Sequence, residues 1–154
     1  MGRMSQQITK EMWEDIEAEM SGSWVVIDFL YKGHAVEVRR AQVSESKTCL
    51  EVYIDGFIKG EWVSLHGIPE TAPEILGDVW CKKTKAKYSA KFKQAVTKNW
   101  GKRRIKSAYP DLDDKWEFYI PEFSKASVLC RQFKKLDGIQ LTKAMFLNLT
   151  EELL

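Results

Sequence analysis

The order of apolar and polar positions predicts an amphipathic helix at the start of the chain. Its apolar residues recur every three or four positions, and acidic residues occupy the opposite side. These apolar positions are Ile8, Met12, Trp13, Ile16 and Met20. Ser21-Gly22-Ser23 follows them and is expected to end the helix.

Alternation of apolar and polar residues then replaces the helical spacing and predicts a β-hairpin over residues 25–39. Lys32-Gly33 offers the two-residue turn that such a hairpin needs. With this turn, Asp28 is expected directly opposite Glu37. Because like charges in opposed positions repel, this pair needs a neutralising neighbour.

Two more strands are predicted after a polar loop. Residues 50–54 alternate, and Asp55-Gly56 follows as the strongest hairpin signal in the chain, since a type I′ turn needs positive φ at both central positions. Residues 57–63 are then expected to form a fourth strand, with a bulge at Gly60 where the alternation breaks. Four antiparallel strands in chain order form a meander.

The second half of the chain returns to helical spacing after Pro73. Its clearest apolar row, with a spacing of four, is Tyr88, Phe92, Val96 and Trp100. Gly101 lies where a left-handed helix cap is expected. Residues 116–120 are expected to be extended. We predict that this apolar row is buried, so that truncating Trp100 to alanine costs about 3–5 kcal/mol.

Two further helices are predicted near the C-terminus. One begins near Ser124 and ends at Asp137-Gly138. Its inward-facing residues are expected to be Val128, Leu129, Phe133 and Leu136. The other covers residues 142–154, and its inward-facing residues are expected to be Met145, Phe146 and Leu149. Together the patterns predict one α+β domain over residues 1–154, an antiparallel β-meander of about four strands covered by helices.

Composition fits one folded domain of 154 residues with a hydrophobic share of 44%. Three cysteines, Cys49, Cys81 and Cys130, are widely spaced and odd in number, which indicates a reducing cytoplasm rather than a disulfide framework. The last two are expected to be buried. The N-terminus lacks the apolar run of a signal peptide, and no segment is long enough to span a bilayer. We therefore expect a soluble cytoplasmic protein.

Charge changes this picture, because the chain is nearly neutral overall but strongly polarised. Residues 79–110 contain eleven Lys and Arg and no acidic residue, whereas the other segments hold thirteen Lys and Arg against twenty-two Asp and Glu. Ordinary surface helices mix both signs. The imbalance predicts contact with an anion. The candidate contact residues are Lys82, Lys83, Lys85, Lys87, Lys91, Lys98, Lys102, Arg103, Arg104 and Lys106.

A nucleic-acid backbone is the anion that suits this stretch best. On the predicted helix, Lys87, Lys91 and Lys98 fall on one flank, and a basic turn follows at residues 102–104. Neutralising phosphates releases condensed counterions, which drives binding. Reversing the three flank lysines to Glu is expected to abolish binding and leave the fold intact. The alternative is a solvated lysine face; no base-reading motif is present.

Asp28 and Glu37 suggest a second chemistry. With Arg39 they loosely resemble the strand arrangement of metal-dependent nucleases of the PD-(D/E)xK type, but the preceding Pro is missing and Arg stands where the catalytic Lys belongs. A salt-bridged outer sheet face is the stronger interpretation. His34 and His66 are isolated, and no zinc-ligand spacing, phosphate loop or nucleophile elbow occurs. We therefore expect no catalytic residue, metal or cofactor.

The run from Gly101 to Leu136 resembles small uncharacterised proteins encoded by bacteriophages and prophages. The shared features are a Gly-Lys-Arg turn, an acidic Asp-Leu-Asp-Asp run, an aromatic cluster before Pro, and an amphipathic helix. The resemblance covers about a quarter of the chain and assigns no functional residue. It implies a mobile element acting in a bacterial cytoplasm.

The sequence is therefore compatible with three functions. The first is a non-enzymatic accessory protein that binds nucleic acid or a nucleoprotein through the basic stretch. The second is an inhibitor of a host defence or replication protein, of the anti-CRISPR or anti-restriction kind, in which the acidic segments 11–19 and 111–114 mimic phosphates. The third is a metal-dependent nuclease at Asp28 and Glu37.

Overall fold

The computed structural model describes residues 6–147, and within them the predicted α+β class is confirmed. The first half contains β1 (Gln6–Gln7), α1 (Lys10–Met20), β2 (Val26–Tyr31), β3 (His34–Ser44), β4 (Lys47–Ile54) and a 3-10 turn (Gly60–Trp62). The second half contains α2 (Leu76–Val79), β5 (Cys81–Ala86), α3 (Ala90–Asn99), α4 (Lys102–Ala108), β6 (Lys115–Ile120), β7 (Glu122–Phe123), α5 (Ala126–Phe133) and β8 (Gln140–Lys143).

A six-stranded antiparallel sheet forms the centre of the molecule, with strand order β1-β8-β2-β3-β4-β7. The predicted hairpin and its register are confirmed, because Asp28 lies opposite Glu37. Lys32 and Gly33 have φ of 48° and 81°, as the two-residue turn requires. Local alternation and turn chemistry therefore determine this part of the sheet.

The predicted fourth strand over residues 57–63 is wrong. Its turn forms, with φ of 52° at Asp55 and 84° at Gly56, but pairing stops after one isolated bridge between Ile54 and Phe57. The chain then enters the 3-10 turn and buries Trp62, which is 5% exposed. Burial of this indole favours leaving the sheet, and β7 occupies the free edge of β4 instead.

One apolar core lies between one face of the sheet and the helices α1 and α5. Phe133 of α5 is central to it, with ring centroids 5.4 Å from Phe29 and 6.3 Å from Phe123. Leu129 is also fully buried, as predicted. Val128 is 39% exposed, so its predicted inward position is wrong. It directly precedes the buried Leu129, and one residue turns an α-helix by about 100°, which places Val128 off the buried stripe.

The C-terminal segment differs from its prediction. Residues 140–143 form β8 between β1 and β2, where a helix was expected from residue 142. Helical structure is described only for residues 145–147, and residues 148–154, including Leu149, lie outside the described part. Glu19 of α1 accepts the N–H groups of Met145 and Phe146 at 3.0 and 2.9 Å. Met145 is 46% exposed rather than inward.

Residues 81–120 contain a second sheet and the helices α3 and α4, and we call them the arm; the other described residues are the body. Its base is the two-stranded ribbon of β5 and β6, which pair from Cys81–Ile120 to Ala86–Lys115. Extended structure at residues 116–120 is confirmed, whereas the return to helical structure after Pro73 is interrupted by β5. Five of the six side chains of β5 are exposed, so the ribbon presents its residues to solvent on both faces.

Hydrogen bonds fix where the arm leaves the body. Trp80, fully buried, donates its indole N–H to the Val52 carbonyl at 3.0 Å. Gln132 of α5 donates its amide to the carbonyls of Asp78 and Trp80, both at 2.8 Å. On the other strand, the Val52 N–H donates to the carbonyl of Pro121 at 2.9 Å. Both strands of the ribbon therefore start from anchored positions.

Within residues 6–147, no helix combines the length and the apolar composition that crossing a membrane requires.

Candidate nucleic-acid interface

A small aromatic cluster holds the two helices of the arm together. Tyr109, which follows α4, contacts three rings, with centroids 5.6 Å from Tyr88, 5.3 Å from Phe92 and 5.5 Å from Trp100. Tyr88 and Phe92 stack at 5.2 Å. These rings are half-buried, and Val96 is the fully buried member of the predicted apolar row. The row is therefore an internal contact surface, although a shallower one than predicted.

The predicted left-handed cap at Gly101 is wrong. α3 ends at Asn99, and Trp100 and Gly101 are extended, with φ of −119° and −72°. Gly101 therefore precedes α4 instead of ending α3. The two residues turn the chain so that Trp100 meets Tyr109 across the junction, a long-range contact that the local sequence pattern does not contain.

Every acidic residue of the arm lies beside a lysine of the arm. The pairs are Lys82–Glu117 at 3.3 Å, Lys87–Asp111 at 3.8 Å, Lys87–Asp114 at 3.9 Å and Lys93–Asp113 at 3.7 Å. The acidic run 111–114 therefore folds back onto the basic stretch that precedes it. Because the carboxylates of residues 111–114 already face lysines of the arm, this run is poorly placed to mimic the phosphates of a nucleic acid.

Lys87 does not share a helix flank with Lys91 and Lys98, and that part of the prediction is wrong. Lys87 precedes α3, its N–H donates to the Asp114 carbonyl at 3.1 Å, and its side chain is 24% exposed. Its Nζ lies 4.6 Å from the centre of the Trp116 ring. Lys87 thus closes the outer end of the ribbon and is an internal contact of the arm.

Tyr88 joins the same network, since its hydroxyl donates to Asp111 at 3.1 Å. Desolvation, followed by this hydrogen bond and the charge of Asp111, raises the pKa of Tyr88. The outer end of the arm is therefore held by a group of mixed aromatic and ionic contacts.

Eight of the sequence-predicted residues remain exposed, and none of them has an ion-pair partner among the described residues. They are Lys83, Lys85, Lys91, Lys98, Lys102, Arg103, Arg104 and Lys106. Lys115 of β6 is a further exposed cation, which lies outside the acid-free stretch because it follows the acidic run. The arm as a whole has twelve Lys and Arg against four Asp and Glu, a formal net charge of +8.

The exposed cations occupy three elements. Lys91 and Lys98 lie on one side of α3, seven residues and thus about 10 Å apart along its axis. α4 carries four cations around its exposed side, and Ile105 is its half-buried residue. On the ribbon, Lys83 and Lys85 of β5 lie opposite Phe118 and Trp116 of β6, and cross-strand partners share a face.

At the junction of α3 and α4, one arginine is held by a ring. The Arg104 guanidinium carbon lies 4.1 Å from the centre of the Trp100 ring. The neighbouring Arg103 is also exposed but makes no such contact. The spacing of four between Trp100 and Arg104 was visible in the sequence, but only the extended junction shows how the two meet.

On the body, Arg39 binds the opposed carboxylates, as the salt-bridge interpretation expects. Its Nη1 lies 2.7 Å from Asp28 and its Nη2 lies 3.6 Å from Glu37. Burial, followed by the charge of the opposed Glu122, raises the pKa of Glu51 on the same sheet. Among residues 6–147 no group of three His, Cys, Asp or Glu is placed to hold a metal ion.

The two histidines and three cysteines, all of them among the described residues, lie on five different segments of the chain. His34 Nδ1 lies 2.6 Å from Asp55, and this hydrogen bond lowers the pKa of that carboxyl below its ordinary value. The rings of His66 and Trp116 lie nearly perpendicular, with centroids 5.7 Å apart. Burial raises the pKa of Cys130 to about 12, as fits its predicted buried position, whereas Cys81 is only half-buried.

The geometry brings together exposed cations from a ribbon and two helices on one lobe, and it leaves Asp28 and Glu37 on a separate sheet face bound to an arginine. No protein-family model, no curated protein and no solved structure matches this chain.

Proposed function

We propose that this protein is a non-enzymatic accessory protein that binds nucleic acid through the arm. The observation that carries the proposal is the charge arrangement. All four acidic residues of the arm face Lys82, Lys87 or Lys93, and eight predicted contact residues stay exposed without an ion-pair partner within residues 6–147.

The exposed cations of the arm repel one another when no anion is bound. Closely spaced positive charges are compensated when they neutralise phosphates and release the counterions condensed on the nucleic acid. The cations lie on helices and on a ribbon whose two strands are anchored at Trp80 and Pro121, so the secondary structure holds their backbone positions close together. A protein that binds in this way contacts the phosphate backbone of the nucleic acid, so its affinity is expected to depend little on the base sequence.

Salt dependence is the first test. If about five phosphates are neutralised, log affinity for a DNA duplex falls with log salt at a slope of roughly −4 to −5. The measurement is fluorescence anisotropy of labelled duplex and single-stranded oligonucleotides over a series of salt concentrations. A response that does not change with salt, or no binding at low salt, contradicts the proposal.

A charge-reversal triple locates the site. Lys91→Glu, Lys98→Glu and Lys102→Glu together are expected to abolish binding, and they leave the ion pairs of the arm intact. The matched control reverses three exposed cations of the body at Lys125, Arg131 and Lys135, which changes the net charge equally. Equal losses in both triples would mean that net charge, rather than the arm, controls binding.

One observation favours protein binding as a second candidate. The exposed side of α1 carries Glu11, Glu14 and Asp15 without ion-pair partners among the described residues, and such an array resembles phosphate charges. Glu19, from the same predicted segment, instead binds the backbone of residues 145–146. This array fits an inhibitor that occupies the nucleic-acid channel of a host defence or replication protein.

Co-purification separates the two candidates. A high ratio of absorbance at 260 nm to 280 nm that nuclease treatment removes supports nucleic-acid binding. The inhibitor is supported instead if a nucleic-acid-handling protein co-purifies with the chain. This partner should then be lost in the triple variant Glu11→Lys, Glu14→Lys and Asp15→Lys but kept in the triple variant Lys91→Glu, Lys98→Glu and Lys102→Glu.

A further inference from the structure

The two adjacent arginines of α4 differ in how they are held. Arg104 lies over Trp100 at 4.1 Å, and Trp100 is in turn held by Tyr109, with ring centroids 5.5 Å apart. Arg103 is exposed and makes no ring contact, hydrogen bond or ion pair among the described residues. The difference is therefore one of orientation, since both side chains have the same charge.

We propose that Arg104 is a pre-oriented phosphate ligand that binds one backbone phosphodiester through two parallel N–H groups. Its neighbours Lys102, Arg103 and Lys106 act as charges without a fixed direction. This inference rests on the proposed nucleic-acid binding and names the residue and the chemical group of its most directional contact.

Guanidinium chemistry explains why the stack matters. The group is planar, and its face can lie on an indole while its edge keeps N–H donors pointing outward in the fork that matches two phosphate oxygens. A side chain already held by stacking loses less conformational freedom on binding than a free one. Arg104 also has no carboxylate partner among the described residues, so its donors are available to a phosphate.

Lysine cannot replace this arrangement, since its ammonium is a compact charge without a fork. The test compares Arg104→Lys with the matched control Arg103→Lys, using a short fluorescein-labelled DNA duplex. We expect Arg104→Lys to weaken binding about tenfold and Arg103→Lys to change it less than about twofold. Both variants are expected to keep the salt slope of the parent protein, because neither changes the number of cations.

Trp100 provides an independent readout. Trp100→Leu removes the ring but no charge, so it is expected to weaken binding as Arg104→Lys does. The double variant is expected to lose little more than either single one, because both changes remove the same orientation. Circular dichroism of each variant verifies that the arm is folded, and Trp100→Phe, which keeps a ring, is expected to retain most of the affinity.

The outcomes separate this inference from the function it rests on. If the parent protein binds the duplex with a steep salt slope but Arg104→Lys and Arg103→Lys behave alike, the pre-orientation of Arg104 is overturned and nucleic-acid binding stands. Additive losses in the Trp100→Leu and Arg104→Lys double variant overturn it as well. If the parent protein binds no oligonucleotide, both proposals fall together.

Discussion

Trp80 and Trp100 show how the body and the arm differ. Trp80 is fully buried, contacts Trp62 with centroids 5.7 Å apart and donates a hydrogen bond to Val52. Trp100 is half-exposed, contacts one ring of the arm, and supports an exposed arginine. Trp80 therefore stabilises the core of the body, whereas Trp100 also supports part of the surface of the arm.

Charge follows the same division. The arm has a formal net charge of +8, and the remaining sequence, with twelve Lys and Arg against eighteen Asp and Glu, has −6. Val96 and Leu112 are the fully buried apolar residues of residues 81–120, all of which the structure describes. A lobe with so small a core depends on ion pairs and half-buried rings, and salt is therefore expected to affect the arm more than the body.

The largest expected effect tests this division directly. Trp80→Ala is expected to cost about 3–5 kcal/mol of unfolding free energy, because it removes a fully buried indole and its hydrogen bond. Trp100→Ala is expected to cost only about 1–2 kcal/mol, less than the sequence alone predicted, because the ring is half-exposed. Urea denaturation of both variants measures the difference; equal costs would show that the arm has a core as important as that of the body.

A smaller effect concerns two lysines of the arm. Lys87→Glu places a carboxylate beside Asp111 and Asp114 and removes the cation over Trp116, so we expect a loss of about 1–2 kcal/mol in the stability of the arm. Lys91→Glu is expected to change it by less than about 0.5 kcal/mol, since Lys91 is exposed and has no ion-pair partner in the part of the chain that the structure describes. Hydrogen exchange at the β5 and β6 amides measures both. If Lys91→Glu accelerated exchange as much as Lys87→Glu, the two lysines would have the same structural role.

The smallest effect is expected in the body and depends on pH. The hydrogen bond from His34, helped by the Ala35 N–H, lowers the pKa of Asp55 in the folded protein. A lowered folded pKa stabilises the fold above the ordinary pKa of the group, and this contribution is lost as pH falls through the folded value. Asp55→Asn is therefore expected to weaken the acid dependence of stability below about pH 4. Denaturation curves at pH 3 to 7 provide the measurement, and an unchanged dependence would exclude this role.

The local sequence pattern was enough for the elements whose causes are local. α1 is confirmed because its apolar stripe and its Thr9 cap lie within one segment, where the Thr9 hydroxyl accepts the Met12 N–H at 3.1 Å. The β2–β3 hairpin is confirmed because Lys32-Gly33 fixes its register. The net charge of the arm was also evident in the sequence, although where each charge lies was not.

Tertiary structure decided everything that depends on distant partners. Residues 57–63 left the sheet because Trp62 packs against Trp80, and β7 and β8 joined it from the far end of the chain. The acid-free basic stretch meets its counter-charges only through folding, when residues 111–114 return to Lys87 and Lys93. Local periodicity reports which side of an element is apolar, but it contains no information on which distant residue will cover that side, because many arrangements bury the same apolar area.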